Sequence, residues 1–297
     1  MENKNVVVLK HHPKDVKLTN AWYKTQVPDN LGDYIVVDVT SRVVRNKSFM
    51  QEHVGFNKDV SPFFLGPVVN RDGTVAHVFE HYWQASKVFP CHYDEDKNEI
   101  KKEYWDWRAE WFGKTKVTDK RASRRPHSLL GYKDSECLFS LWYDGHTYKA
   151  LTYVEARKKM YIPEYAKLIV KTKSFNWLKK QYEEGKKIAL VDFDGYNYYY
   201  DQAKEKLYKS YVNKCKKNDI EPEKSLEDFL GLDSMSKVID SGFTPAGHGF
   251  IIKMLLEGDI EVIDNNVIDN IGVLNIEGED NNLPFELKGG NYNELSC

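Results

Sequence analysis

Glu80, Gln84 and Lys87 are the residues of this chain best placed by type and spacing to do chemistry. A carboxylate, an amide and an amine at i, i+4 and i+7 fall on one side of a helix. Phe79, Tyr82, Trp83 and Phe89 flank them. Polar groups set among rings suit a lined pocket. There a carboxylate could stabilise a developing oxocarbenium ion and hold a water while a ribosyl C–N bond breaks. On this reading Gln84 and Lys87 orient Glu80 and the substrate, while Trp83, Tyr82 or Trp111 stacks on the base. The plainer reading is an amphipathic core helix whose polar face meets water, and spacing alone leaves both open.

The helix that must carry these residues is expected over 75–88, with Pro90 helping to stop it. Ahead of it lie an extended, proline-bounded segment at 61–67 and a turn at 70–73. A second helix is expected over 98–112 with Gly113 as its cap, a third over 152–171 with a break or restart at Pro163, and a fourth over 175–184 closed by Gly185. Residues 34–39 and 187–193 read as strands. Residues 1–33 read as an arm with one short strand at 6–9. Residues 201–232 read as Lys-rich and partly helical, within an insertion near 201–241 that lies over the core. Residues 247–256 read as a glycine-started buried helix, and the tail from about 260 holds short β-rich pieces. No internal repeat is present.

Other segments could also carry chemistry. An apolar strand ending in Asp192-Phe193-Asp194-Gly195 resembles the first motif of haloacid-dehalogenase-type phosphatases, where the first Asp is a nucleophile beside Mg²⁺. The matching segments would span too few residues for the parallel sheet such enzymes need, and a plain Asp/Gly turn reads equally well. Asp192 could instead edge the Glu80 pocket. Lys114, Lys116, Lys120, Arg121, Arg124 and Arg125 form a basic loop just after Trp105, Trp107 and Trp111. It is either a solvated charged loop or a contact for phosphate or single-stranded nucleic acid. His248 stands between two glycines at a helix start, where a backbone can approach a ligand or simply turn tightly. Arg157 and Tyr161, at i and i+4, could face the same pocket. His77 and His81 share that spacing but lack a third ligand, so no metal site is expected.

Bulk composition limits the classes. At 297 residues, with 41% hydrophobic and 30% charged residues, the chain has an ordinary soluble composition and room for one large domain or two modest ones. The 19 Tyr, 14 Phe and 7 Trp need packing partners or flat ligands. From Gly258 onward there are nine acids and one Lys, which leaves 42 bases against 36 acids before it. That balance is not the footprint of a dedicated nucleic-acid binder. The four cysteines form no C-x-x-C pair, no apolar run approaches a membrane span, and the N-terminus lacks a signal-peptide core. A cytoplasmic protein without cofactor, metal or membrane contact is expected.

Residues 79–89 resemble the signature S-V-E-H-Y-x-Q-A-x-K-F of the NADAR superfamily, the riboflavin-biosynthesis-associated N-glycosidases. The match runs through Glu80, His81, Tyr82, Gln84, Ala85 and Lys87, with Val88 extra before Phe89. The segment holding Phe63 resembles that family's pocket-wall S-x-F-Y. Residues 108–114 resemble its next helix, with Lys114 where the family has Arg, and residues 247–254 sit where it has G-x-N-x-L-G-x-x-L-M. Gly249 replaces the Asn of that last motif, the tryptophan-glycine segment before it is missing, and about 40 residues intervene. The resemblance covers roughly 55–258. It implies a predominantly helical α+β domain there, between an arm at 1–54 and an acidic tail at 259–297. It also implies an N-glycosidase acting on ribosyl-phosphate or ADP-ribosyl adducts with Glu80 as acid/base. A phosphate-bearing or ADP-ribosylated substrate would then be held by Lys114, the basic loop or His248. The competing expectation is a non-catalytic nucleotide- or ADP-ribose-binding module.

Overall fold

The computed structural model describes residues 6–10, 34–41, 56–118, 120–195, 208–209, 212–213, 215–217, 221–222, 235–242 and 246–275. Helices and short strands are both present, so the chain is a mixed α+β protein. It divides into two units, one of Met1–Ser61 with Tyr165–Leu274 and one of Pro62–Glu164 with Asn275–Cys297. The region expected as one domain over 55–258 is therefore shared between units. Within the expected arm, Val6–Lys10 and Tyr34–Asp38 are both strands of a sheet.

That sheet organises the first unit. Three parallel strands lie in the order Val6–Lys10, Lys187–Asp192, Tyr34–Asp38, with Val7 and Val36 both level with Ala189. Ile188 through Val191 are buried on both faces, which is why this strand is an unbroken apolar run. Helix His248–Glu257 packs on the outer strand Val6–Lys10 and on the central one. It ends at Gly258, whose φ of 78° is the left-handed turn that glycine allows. Its Lys253 donates to the Val6 carbonyl at 2.9 Å, and Glu257 accepts from the Val6 N–H at 3.2 Å, so side chains satisfy the outer strand's first residue. Helix Lys173–Glu183 starts where the Thr172 hydroxyl accepts from Phe175 N–H at 3.1 Å. The expected β-rich pieces of the tail form a hairpin, Ile260–Ile263 with Asn266–Asp269, turned by Asp264 and Asn265 at positive φ. The 201–241 insertion lies largely outside the described residues; within it Met235–Asp240 is a helix.

The second unit departs most from the sequence pattern. The Glu80 helix is only Phe79–Ala85. Val75–Ala76 pairs with Val68–Val69 around the turn at 70–73, and Lys87–Val88 pairs with the start of Phe139–Tyr143. Both ends of the expected helix carry a β-branched Val that the ladders take. The next helix is Lys102–Phe112, because Asn98, at φ 55°, turns the chain between strands Tyr93–Asp94 and Glu99–Ile100. Buried Arg108 on this helix donates from Nη1 and Nη2 to Asp72 Oδ2 at 3.2 and 3.1 Å, and the Tyr148 hydroxyl donates to the same oxygen. These bonds tie the hairpin turn, the helix and strand Tyr148–Leu151 together. Burial opposes the charge on Asp72, but Arg108 and the hydrogen bonds from Thr74 and Tyr148 outweigh it and hold the carboxyl below its ordinary range.

After Thr152, which caps Tyr153–Ala156 reciprocally with Glu155, the helix widens into a π turn at Arg157–Tyr161 before continuing as Ile162–Ile169. The expected break at Pro163 thus becomes a wide turn that ends two residues earlier, at Tyr161. Proline has no N–H to offer the carbonyl four residues back, and the widening takes up that mismatch. Among the described residues no helix is long and apolar enough to cross a membrane.

Candidate active site

Every residue of helix Phe79–Ala85 is buried. Its first N–H groups are taken by the chain itself, since Phe79 donates to the Leu65 carbonyl at 2.8 Å and Glu80 to Pro62 at 3.0 Å. At the other end the Ser86 hydroxyl donates to the Tyr82 carbonyl at 2.7 Å. Between these ends Glu80, Gln84 and Lys87 form a continuous polar line. Gln84 Nε2 donates to Glu80 Oε1 at 3.0 Å, and Lys87 Nζ donates to Gln84 Oε1 at 2.9 Å. The amide is oriented by charge at both ends, with its NH₂ toward the carboxylate and its carbonyl toward the ammonium. All three residues are between 7 and 9% exposed. Lys87 comes from the strand Lys87–Val88 and not from a third helical turn, and it bears on Glu80 through Gln84.

The line continues into Arg125 of the basic loop and into Asp134 and His127, which the sequence reading did not single out. Lys87 Nζ is 3.5 Å from Asp134 Oδ1, Arg125 Nη1 is 3.1 Å from Oδ2, and His127 Nε2 is 3.4 Å from Oδ1. Burial works against ionisation of Asp134, but Lys87, Arg125 and His127 outweigh it and hold its carboxyl below the ordinary range. Burial pushes the His127 imidazole down despite Asp134, and Lys87, Arg125 and Arg121 add to that push. Its ring stacks on Phe89 at 5.0 Å, and its buried Nδ1 has no hydrogen-bond partner among the described residues. Burial raises the nearby Cys137 thiol to about 11 despite Lys87, so it is not poised as a nucleophile. No spacing signal links Asp134 or His127 to Glu80, because a loop and two 3-10 turns bring them in.

The other expected site residues divide. Trp83 belongs beside the polar line: Lys87 Nζ lies 5.4 Å from its ring centre, and Tyr161 of the π turn meets it edge-on at 5.0 Å. Arg157 is buried with its guanidinium over Tyr153, whose ring is 6.2 Å from Trp83. Phe63 is half-buried in the turn that accepts the helix's first N–H groups. Tyr82 is core: its ring lies between Phe79 and Phe112, and burial raises its hydroxyl far above the ordinary range. The Lys114 ammonium lies 3.6 Å from the Trp111 ring centre and is paired to Glu110. His81, edge-on to Trp111, has its ring nitrogens at the carbonyls of Lys114 and Ser123, while His77 is exposed. Of the basic loop, Lys116, Lys120, Arg121 and Arg124 face solvent.

Asp192 and His248 belong to the first unit, whereas Glu80, Gln84 and Lys87 belong to the second. Asp192 ends the central strand and is 1% exposed. Its Oδ1 accepts from Phe193 N–H at 2.7 Å and its Oδ2 from Gly249 N–H at 2.9 Å, with His248 Nδ1 at 3.4 Å. His248 Nε2 faces the Val39 carbonyl. A Cβ on Gly247 would fall 2.8 Å from Asp192 Oδ2 and from Asp194, so glycine here admits the chain's own carboxylates. The parallel sheet thought too long for this motif does exist, built with strands from the N-terminal residues. Asp192 nevertheless caps helix His248–Glu257 with both oxygens engaged, which does not suit a nucleophile.

Taken together, these features define a mixed α+β protein in which one unit buries a carboxylate–amide–amine relay among aromatic rings. No protein family's sequence profile, no curated protein and no solved structure matches the chain.

Proposed function

We propose that the Pro62–Glu164 unit is an N-glycosidase whose working carboxylate is Glu80, acting on a ribosyl-phosphate or ADP-ribosyl adduct. The observation that carries this reading is the Glu80–Gln84–Lys87 relay, a buried carboxylate held by an oriented amide and backed by an ammonium. Such a carboxylate has fixed direction and little access to bulk water, which strengthens its field at a developing cation. In the reaction the C–N bond breaks and its electron pair leaves with the base. Glu80 faces the sugar cation and takes a proton from the water whose oxygen bonds to the anomeric carbon, and the departing base is protonated from solvent. Trp83 offers the ring surface beside this line.

Glu80→Gln keeps the size of the side chain and removes its charge. Base release from an ADP-ribosyl or ribosyl-phosphate substrate, followed by chromatography, should fall by about a hundredfold or more with the circular dichroism spectrum unchanged. Full activity in the variant would overturn the assignment. A wild-type protein that binds ADP-ribose yet never releases base would instead be a binding module.

A further inference from the structure

Three nitrogen groups converge on the Asp134 carboxylate. Lys87 and Arg125 both bear on it, and the His127 ring nitrogen makes a third approach, all within 3.5 Å. The two halves of the cluster are built differently. Lys87 and His127 are buried, Lys87 held by Gln84 and His127 stacked on Phe89. The Asp134 and Arg125 side chains are 41 and 53% exposed. Asp134 sits on the single 3-10 turn Asp134–Glu136, all three residues of which face solvent. A rigid, donor-rich floor is thus covered by a carboxylate on a turn that little packing restrains.

The geometry points to a phosphate-binding subsite formed by Lys87, Arg125 and His127, in which the Asp134 carboxylate occupies the place of two phosphate oxygens. A guanidinium and an ammonium converging on one oxyanion are the donor set that phosphate recognition uses, and the carboxylate shares the bidentate spacing of two phosphate oxygens. A phosphate would offer these three donors more acceptor oxygens than one carboxylate, and the turn could swing aside without disturbing a strand or a long helix. Through Gln84 the subsite is wired to Glu80. It would hold the phosphate of the substrate proposed above, and it rests on that reading only for the substrate's identity. Lys114 and His248, the phosphate holders expected from sequence, are engaged by Trp111 and Glu110 and by Asp192 and Val39.

The test is titration of the full chain with inorganic phosphate by calorimetry, which needs no turnover. Asp134→Asn should bind phosphate at least tenfold more tightly than wild type, and adding Arg125→Gln should abolish that gain. Both positions are exposed enough for the variants to stay folded, and Arg125→Gln alone should weaken phosphate binding by wild type. Unchanged phosphate affinity in Asp134→Asn, or a gain that survives Arg125→Gln, would overturn the subsite and leave Asp134 as a counter-ion for Lys87. Glu80→Gln should retain phosphate binding while losing base release, so failure of the subsite and failure of the glycosidase reading give different results. Ribose 5-phosphate competing with inorganic phosphate would assign the site to a terminal phosphate; competition by ADP-ribose alone would assign it to a diphosphate.

Discussion

Gln84 joins the two charged ends of the site. It is neutral, yet it stands between a buried carboxylate and a buried ammonium and bonds to both. Gln84→Leu keeps most of the volume and removes both partners at once. The expected cost is about 2–4 kcal/mol, measured by urea unfolding, because two buried polar groups each lose a hydrogen bond. On a solvent-facing helix the same change would stay within about 0.5 kcal/mol. Tyr82 teaches the opposite lesson. It lies in the same motif, but its ring is enclosed by Phe79 and Phe112, and its place is set by packing.

At the scale of elements, the first unit depends on how closely helix His248–Glu257 can approach the end of strand Lys187–Asp192. Gly247 and Gly249 permit it, since a side chain on either would press on Asp192. Gly247→Ala is therefore expected to destabilise the protein by about 1–3 kcal/mol, seen as a lower thermal midpoint. Gly247 has an ordinary negative φ, so the cost would come from crowding and not from backbone strain. In the second unit the short Glu80 helix survives because Pro62, Leu65 and Ser86 satisfy its ends. A lone seven-residue helix would not persist in water.

At the scale of the whole molecule, three histidines among the described residues are pushed down by burial and lower stability as the pH falls. Burial pushes His92 down to about 4 against the pull of Glu103, with its ring packed on Tyr104 and Trp107; His81 and His127 are pushed in the same direction. A histidine depressed in the folded state binds more protons when unfolded, so its contribution is intact above about pH 6.5 and is lost as pH falls. For His92 the loss accumulates between about pH 6.5 and 4 and reaches about 3 kcal/mol. Asp72 and Asp134, both lowered, keep their contributions until the pH drops below 3.8, so they do not explain a loss in that window. Urea midpoints measured from pH 7 to 4.5 should fall steadily for wild type and less steeply for His92→Phe, which keeps the ring packing. Equal slopes would count against this account.

Short-range pattern was enough to locate the turn at 70–73, the end of the fourth helix at Gly185, the apolar strand ending at Asp192 and the partnership of Glu80, Gln84 and Lys87. Each depends on residues within a turn or two of one another, where φ, ψ and side-chain reach leave few choices. Tertiary structure decided the rest. It ended the Glu80 helix at Ala85 by drawing Val75 and Lys87 into ladders, and it placed strand Lys187–Asp192 between two strands from the far end of the chain. It also carried Asp134 to an amine 47 positions away. These choices depend on which remote surfaces exclude water together, and no local spacing encodes that.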